Sequence, residues 1–367
     1  MHEDFLLKKL DERVREHSLR TLQSPAPDMI DFCSNDYLGI VKNQLIGQRR
    51  NYTMPSSSGA TGSRLLSGNS QNVEELEDLI ATFHQSPGGL IFNSGYAANT
   101  GLLSCVPQRG DTILYDYLCH ASIRDGMRLS FAQSFSFLHN DLEDLERKLQ
   151  KANGTVFVVT ESVFSMDGDY CPLYEIVLLC EKYGAKLVLD EAHATGVVGE
   201  HGEGLAQMLG LQQRIFARVH TFGKACGTHG AIVLGTELLR SYLINFARPF
   251  VYSTALPEHT LEDIRISYGL FPAMTKERDH LRQLSRLFQP SELVVSEPAS
   301  HPIKAVVIPG NEQVRHVAAT IQQHKFDARP ILYPTVPKGG ERLRIVLHAF
   351  NSEMEVTLLL NCLKNSL

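Results

Sequence analysis

The chain has 367 residues, of which 43% are hydrophobic and 21% are charged, and its formal net charge at pH 7 is −6. This length predicts a large α/β domain with a smaller companion domain. The negative charge argues against a nucleic-acid partner, because phosphate neutralisation requires a basic surface.

The first twenty residues, MHEDFLLKKLDERVREHSLR, are densely charged and lack the apolar stretch of a signal peptide. No apolar run approaches the roughly 20 residues that cross a bilayer. The seven cysteines are scattered without a CxxC pair, which is typical of reduced thiols and not of a disulfide framework or a zinc site. We therefore expect a cytoplasmic protein with no membrane partner and no metal.

From residue 88 to 235, short apolar runs alternate with helical patterns. Helices are expected at 96–106, at 120–130, at 141–150 with Asn140 as its N-cap, and at 173–183. Strands are expected within 88–95, 111–118, 135–139, 155–161, 186–193, 215–223 and 231–235. Runs such as VFVVT and KLVLD are apolar on both faces, which predicts a mainly parallel sheet with helices on both sides.

After about Pro257 the pattern changes to helices interleaved with two short strands, which indicates a smaller α+β domain. The helices are expected at 278–289, 311–324 and 351–366, and the strands within 303–310 and 341–350. The segment 56–69, SSSGATGSRLLSGN, is interpreted as a shaped loop. The predicted division is an amino-terminal arm at 1–37, a large domain at 38–268 and a small domain at 269–367.

Chemically active side chains follow the predicted strands of the large domain. In doubly wound sheets, ligands bind beyond the carboxyl ends of the strands. The residues found there are Asn93, Ser94, Gly95, Tyr96, His120, Glu161, Ser165, Asp190, His193 and Lys224. Their convergence at one edge predicts an active site.

Lys224 lies in HTFGKACGTHGAIVLG, among glycines and small apolar residues. Desolvation there would favour a neutral amine that forms a Schiff base, and the alternative is a solvated surface lysine. Asp190 ends a buried strand and needs a cationic partner, for which a pyridinium nitrogen, a helix N-cap or an ion pair are the candidates. His193 would hydrogen-bond Asp190 or a ring hydroxyl, or else be a packed polar residue.

The start of the helix after Ser94 offers backbone N–H groups to a phosphate, with Thr221 as a further donor; the alternative is an ordinary capped helix. His120 would stack on a planar ring, or be a satisfied core histidine. The letters DEAH at 190–193 match a helicase motif, but the chain lacks the GxxxxGK[ST] loop of such ATPases. A nucleotide-driven ATPase is therefore the remote alternative.

These stretches resemble the α-oxoamine synthases, a family of fold-type-I enzymes that use pyridoxal 5′-phosphate (PLP). The resemblance runs in family order through nearly the whole chain. It rests on DFCSNDYLGI, SSSGATGSRLLSGN, FNSGYAANTG, HASI, ESVFSMDGD, DEAHATGVVGEHGEG, TFGKACGTHGA, VYSTALPE and YPTVPKGGERLRI.

The resemblance implies the PLP-dependent transferase fold and a role for each matching residue. The implied catalytic set has four residues. Lys224 is the implied Schiff-base lysine, and Asp190 the implied partner of the ring nitrogen. His193 would lie beside the ring oxygen, and the imidazole of His120 would stack on the ring. The implied cofactor-binding residues are completed by Ser94, Gly95, Tyr96, Glu161, Ser165, Thr221, Ser253 and Thr254. Ser253 or Thr254 would reach the phosphate of a neighbouring subunit in a homodimer whose active site lies at the interface. Asn35, Arg344 and Arg20 are the implied substrate-binding residues.

Family members condense an α-amino acid with an acyl thioester, carried by CoA or a carrier protein, and release carbon dioxide. GTHGA after the lysine and the segment LDERVREHSLR favour L-alanine and a pimeloyl thioester, the pair used in biotin synthesis. Arg20 would meet the pimeloyl carboxylate; the alternative is a solvated helix face. Leu332-Tyr333-Pro334 departs from the Arg-Pro-Pro of many biotin-pathway members, with Arg329 as a candidate substitute. Members that use glycine or serine remain the alternatives.

Overall fold

The structure is a computed structural model, and it describes residues 3–22, 24, 28–50, 58–288 and 301–367. Ser56 and Ser57 of the predicted loop, and Gln289 at the end of a predicted helix, lie outside the described residues. Among the described residues, no helix combines the length and the apolar character that crossing a bilayer requires.

The strands in chain order are β1 Ile30–Asp31, β2 Gly88–Phe92, β3 Thr112–Asp116, β4 Gln133–Phe137, β5 Val156–Glu161, β6 Lys186–Asp190, β7 Ala217–Thr221, β8 Ala231–Gly235, β9 Ile303–Val307, β10 Phe326–Asp327, β11 Arg329–Ile331 and β12 Arg342–Val346. The helices are α1 Asp4–Arg15, α2 Gln71–Phe83, α3 Gly95–Cys105, α4 Ala121–Leu129, α5 Leu142–Leu149, α6 Leu173–Tyr183, α7 Leu205–Met208, α8 Glu237–Phe246, α9 Arg248–Val251, α10 Glu258–Leu270, α11 Thr275–Leu287, α12 Asn311–Gln323 and α13 Glu353–Ser366.

The chain forms two compact units. The larger unit comprises residues 38–164 and 170–276, and the smaller comprises 1–37, 165–169 and 277–367. In the sequence-based division, the arm and the carboxyl-terminal domain were separate parts, whereas both contribute to the smaller unit. The three-part division itself stays a prediction.

The larger unit is built on a seven-stranded sheet in the order β2-β8-β7-β6-β5-β3-β4. Its central strands are parallel, and β8 runs antiparallel to both β2 and β7. Val188, Val219 and Ala217 pack in a core with α3 and α4 on one face. Leu187 and Leu189 pack on the other face with α6. The apolar runs are therefore buried on both sides, as their composition predicts.

The smaller unit contains a three-stranded antiparallel sheet, β11-β12-β9, and the short parallel pair β1-β10. Helices α12 and α13 each bury an apolar stripe, and α13 begins with a capping box in which Ser352 and Glu355 bond each other's backbone N–H groups.

Two sequence-based expectations about helix ends are wrong. Asn140 is not the cap of α5: it takes a left-handed conformation with φ of 54°, and the Asp141 side chain instead accepts from the Asp144 N–H at 2.9 Å. The amino-terminal helix α1 ends at Arg15, because His17 is left-handed with φ of 51°. Arg20 therefore lies beyond the helix and not on its face.

Candidate active site

The carboxyl ends of β5, β6 and β7 lie side by side in the larger unit, since these strands are parallel and adjacent. Glu161 at the end of β5 is paired in register with Asp190 at the end of β6. Thr221 ends β7, and Lys224 follows three residues later. The parallel topology thus gathers on one edge the groups that the sequence scatters over more than sixty positions.

Lys224 lies in the tight connection between β7 and β8. Its side chain is half-buried, and Nζ lies 2.8 Å from Nε2 of the buried His193. Gly227 in the same connection has φ of +64°, and a Cβ added there would lie 2.7 Å from Cγ2 of Ile40. The amine is therefore fixed by an imidazole, and the reading as a freely solvated surface lysine does not fit the structure.

Asp190 is buried, and each carboxylate oxygen accepts an N–H. Oδ1 accepts from the backbone N–H of Ala192 at 2.9 Å, and Oδ2 accepts from Nδ2 of Asn99 at 2.7 Å. Hydrogen bonds of this kind stabilise the ionised carboxylate. A negative group is thus held in place at the end of β6.

His120 caps α4. Its Nδ1 accepts from the backbone N–H of Ser122 at 3.2 Å, and its own backbone N–H donates to Oε1 of Glu161 at 2.5 Å. The residue is exposed, so the alternative of a satisfied core histidine is wrong. Partial desolvation of the imidazole, which is the largest cause, and the charge of Lys224 lower the pKa of His120, while Asp190 opposes the shift.

Glu161 is buried beside Asp190, and burial together with the Asp190 charge raises its pKa to about 8. Two carboxyl groups on neighbouring strand ends do not both ionise easily in a buried setting. At neutral pH Glu161 is therefore mostly protonated.

The amino terminus of α3 faces the end of β7. Ser94 is the N-cap and accepts from the Ala97 N–H at 3.1 Å, and the first N–H groups of the helix lack intrahelical acceptors. A Cβ on Gly95 would lie 3.5 Å from Oγ1 of Thr221, so the helix start and the threonine hydroxyl converge. The exposed Tyr96 points elsewhere, and its hydroxyl donates to Asp125.

Ser253 and Thr254 lie in the turn that follows α9, where Ser253 is half-buried and Thr254 is exposed. The Thr254 carbonyl accepts from Nδ2 of Asn93 at 2.8 Å. This contact connects the turn to the residue that precedes Ser94.

Three predicted residues lie together in the smaller unit. Arg344 on β12 donates through Nε to the carbonyl of Ser165 at 2.6 Å and through Nη2 to Oδ1 of Asn35 at 2.9 Å.

Arg20 is exposed, and its Nη2 donates to Oγ1 of Thr335 at 2.9 Å. Arg329 is paired with Asp327 through Nε and Nη2, one edge of the guanidinium, so its charge is already compensated.

The residues of the larger unit fit a phosphorylated pyridine aldehyde. The edge provides a half-buried amine at Lys224, a hydrogen-bonded carboxylate at Asp190, and an exposed imidazole at His120. The convergence of Gly95 and the Thr221 hydroxyl at a helix start suits a phosphate. Among the described residues, no group of three His, Cys, Asp or Glu side chains is arranged to hold a metal ion.

Two site residues were missed from the sequence. Asn99 on α3 and Ser122 on α4 are buried, and they connect Asp190 with His120. The signal available was a polar residue on the buried face of each helix, four residues after Gly95 and two after His120.

Comparisons with known proteins agree on one family. Residues 27–363 match the family described as aminotransferase class I and II. The chain is 41% identical to an 8-amino-7-oxononanoate synthase of Emericella nidulans, an alignment that covers 96% of this chain and 92% of that protein. It is 39% identical to an 8-amino-7-oxononanoate synthase of Methylobacillus flagellatus, which covers 91% of this chain and 86% of that one.

Solved structures give the same fold. An 8-amino-7-oxononanoate synthase from Francisella tularensis superposes with a TM-score of 0.77 at 27% identity, covering 93% of this chain and 98% of that chain. A serine palmitoyltransferase from S. paucimobilis with bound PLP-myriocin aldimine superposes with a TM-score of 0.88 at 25% identity, covering 99% and 96%. The predicted α/β fold class, with its mainly parallel sheet, and the predicted cofactor are confirmed.

Proposed function

The chain belongs to the aminotransferase class I and II family, and from that premise we propose that it is a PLP-dependent C-acyltransferase that condenses L-alanine with a pimeloyl thioester. The product is 8-amino-7-oxononanoate, a precursor in biotin synthesis, and carbon dioxide and the free thiol of CoA or of the carrier protein leave. The observation that carries the proposal is identity of about 40% over nearly the full length to synthases of that name. Bound PLP would supply an electron sink that makes the Cα proton of the amino acid acidic.

The residues of the larger unit would hold PLP and move one proton. Lys224 is proposed as the attachment point and, once released, as the base whose Nζ takes the Cα proton. Its contact with Nε2 of His193 at 2.8 Å would orient the amine. Asp190 would keep the ring nitrogen protonated, and its two accepted N–H bonds would hold the carboxylate in place beside that nitrogen.

The other proposed contacts to PLP are a ring face and a phosphate. His120 would stack on the ring, since it is exposed at the start of α4. The phosphate would take the N–H groups after Ser94, those of Gly95 and Tyr96, and the hydroxyl of Thr221. Tyr96 would contribute its backbone alone, because its hydroxyl donates to Asp125.

In the smaller unit, Arg344 and Asn35 are proposed to bind the carboxylate of the amino acid. A guanidinium held by two acceptors presents its remaining N–H groups in a fixed fork, which suits a carboxylate. Ser165 would act through its carbonyl bond to Arg344. Arg20 remains the candidate for the pimeloyl carboxylate: its hydroxyl partner Thr335 leaves its charge uncompensated in that contact.

We also propose a homodimer in the cytoplasm in which Ser253 or Thr254 reaches the partner's phosphate. Thr254 and the neighbouring Tyr252 are exposed, so the turn is available to a second copy. The seven cysteines are free thiols, which is typical of a reducing compartment. The net charge of −6 gives no support for a nucleic-acid partner.

The DEAH letters have a local explanation that involves no nucleotide. Asp190 and His193 belong to the proposed PLP site, and Glu191 accepts the backbone N–H groups of Leu205 and Ala206 at 3.0 and 2.8 Å. The remaining alternatives are other members of the same chemistry: 2-amino-3-ketobutyrate CoA ligase, 5-aminolevulinate synthase and serine palmitoyltransferase.

A substrate matrix tests the proposal. Glycine, L-serine and L-alanine are each combined with acetyl-, succinyl-, pimeloyl- and palmitoyl-CoA, and with pimeloyl carrier protein, while thiol release is followed. We expect L-alanine with a pimeloyl thioester to give the largest kcat/KM. Faster turnover of glycine with succinyl-CoA, or of serine with palmitoyl-CoA, would overturn the assignment.

A further inference from the structure

A continuous chain of hydrogen bonds joins the carboxylate of Asp190 to the ring of His120. Nδ2 of Asn99 lies 2.7 Å from Oδ2 of Asp190 and 3.1 Å from Oγ of Ser122. Oγ of Ser122 in turn lies 2.7 Å from Nδ1 of His120. Asn99, Ser122 and Asp190 are all nearly inaccessible to solvent.

The direction of each bond follows from which atoms are able to donate. Asp190 is an acceptor, so the Asn99 amide presents its nitrogen and donates one hydrogen to Asp190 and the other to Ser122. Nδ1 of His120 accepts from the backbone N–H of Ser122 and is therefore unprotonated. The Ser122 hydroxyl, already an acceptor from Asn99, must donate its hydrogen to the same Nδ1.

This pattern of donors and acceptors favours one protonation state of the His120 ring. With Nδ1 receiving two donors, the neutral imidazole carries its hydrogen on Nε2. Three charged groups act on the ring: Lys224 lowers the pKa of His120, whereas Asp190 and Asp125 raise it. Partial desolvation of the imidazole is the largest influence and lowers the pKa of His120, which agrees with a neutral ring.

Asn99 is retained at a cost in stability. Its Oδ1 is buried without a hydrogen-bond partner in the described structure, and an unpaired buried carbonyl is destabilising. Packing alone would be served by an apolar residue on the inner side of α3, where Leu102 and Ala98 already lie in the core. The amide is therefore explained by its two donated bonds.

We propose that Asn99 and Ser122 are positioning residues that hold His120 as the Nε2–H tautomer and connect its orientation to the carboxylate of Asp190. The inference rests on the proposed function for its meaning, because His120 and Asp190 are the residues assigned to the ring face and the ring nitrogen of PLP. The tautomer itself is a property of the protein alone. It presents a neutral ring with an Nε2–H donor to whatever lies at the edge of the sheet.

The test uses the full chain labelled with ¹⁵N-histidine, with and without PLP, and assigns His120 by the signals lost in His120→Gln. We expect Nδ1 to show the chemical shift of an unprotonated nitrogen and Nε2 that of a protonated one. Ser122→Ala should lower the ratio of Nε2–H to Nδ1–H by about fivefold, the effect of one lost hydrogen bond. Ser122→Thr should restore it, and Asn99→Leu should lower it by less.

Ser104→Ala on α3, which removes a hydroxyl bonded to the Gly101 carbonyl, is the matched control and should leave the ratio unchanged. A wild-type His120 that carries its hydrogen on Nδ1 would overturn the inference even if no variant folds. So would a ratio that Ser122→Ala leaves unaltered. The substrate matrix is independent: if it fails while the tautomer is observed, the proposed function is wrong and the hydrogen-bond chain stands.

Discussion

Two groups of buried polar residues flank the large sheet where β6 and β7 end, one on each face. Asp190 lies on the face of α3 and α4, with Asn99 and Ser122. Successive side chains of a strand point to opposite faces of the sheet. Glu191 follows Asp190 by one position and His220 precedes Thr221 by one, so both belong to the opposite face. Neighbouring positions in the sequence thus serve two different environments.

The two groups differ in their exposure to solvent and in the pKa shifts of their titratable side chains. On the opposite face, the rings of His84 and His220 lie 3.9 Å apart and are fully buried, and burial holds the pKa of each well below its ordinary value. On the α3 face, Lys224 is half-buried and His120 is exposed. The difference teaches that burial alone does not identify the active site; the open face combines fixed charge with access, and the enclosed face suppresses charge.

The largest effect is expected from Asp190→Asn. Loss of this charge removes one preorganised electrostatic partner, which should lower kcat/KM by roughly 10²- to 10³-fold. The free energy of unfolding should also fall, by roughly 1–3 kcal/mol, because the amide nitrogen would face a donor, the Ala192 N–H or Asn99 Nδ2, where a carboxylate oxygen accepted a hydrogen bond. Steady-state assays and chemical denaturation measure both, with the exposed Asp279→Asn as control. Retention of full activity would contradict the role given to this carboxylate.

The adjacent carboxylate should behave in the opposite way. Glu191→Ala leaves the buried N–H groups of Leu205 and Ala206 without their acceptor and should lower the free energy of unfolding by roughly 2–6 kcal/mol. The folded fraction should keep its kcat/KM within about threefold, and the exposed Glu200→Ala should be neutral. If activity falls as in Asp190→Asn without loss of stability, the division into two faces fails.

The enclosed histidines predict an acid limit to stability. Their native pKa lies below the ordinary value of 6.5, so below that pH the unfolded chain binds protons that the native chain cannot. Stability present above pH 6.5 is therefore lost as the pH falls, by roughly 1.4 kcal/mol per imidazole between about pH 7.5 and 5.5. Urea denaturation at both pH values measures the loss.

The control for this pH dependence is the double variant His84→Leu and His220→Leu, whose unfolding free energy should depend less on pH in the same interval. An equal slope in the variant and the parent would show that other groups cause the acid sensitivity.

The smallest effect is expected from Tyr96→Phe. The lost hydroxyl bonds a half-buried aspartate, Asp125, and not the phosphate site, so the affinity for PLP should change by less than about twofold. Fluorescence titration with PLP measures this. A tenfold loss of affinity would mean that the hydroxyl, and not the backbone N–H, contributes to the phosphate site.

The sequence was sufficient for the sheet because its central strands are apolar on both faces and end in polar residues. It was not sufficient for the direction of β8, because an apolar run looks the same whether the strand runs parallel or antiparallel to its neighbours. The strands β1, β10 and β11 have two or three residues, too few for a periodicity. The predicted Asn140 cap failed because Asp141, one residue on, has the same capping chemistry.

Within the site, the chain order of strand ends was enough to bring together Glu161, Asp190 and Lys224, since parallel strands share an edge. Asn99 and Ser122 could not be found in the same way. Their roles depend on the packing of α3 against α4, which sets distances between side chains 23 positions apart. Such contacts follow from tertiary structure, and the local pattern shows only that each is a polar residue on a buried helix face.

The central claim is that the amine of Lys224 is the covalent partner of PLP beside Asp190. Borohydride reduction of the PLP-loaded protein, followed by proteolysis and mass spectrometry, tests it directly, with Lys224→Ala as the matched sample. We predict one pyridoxyl group per chain, located on Lys224 and absent from the variant. A pyridoxyl group on another lysine, or none in the parent protein, would contradict the account.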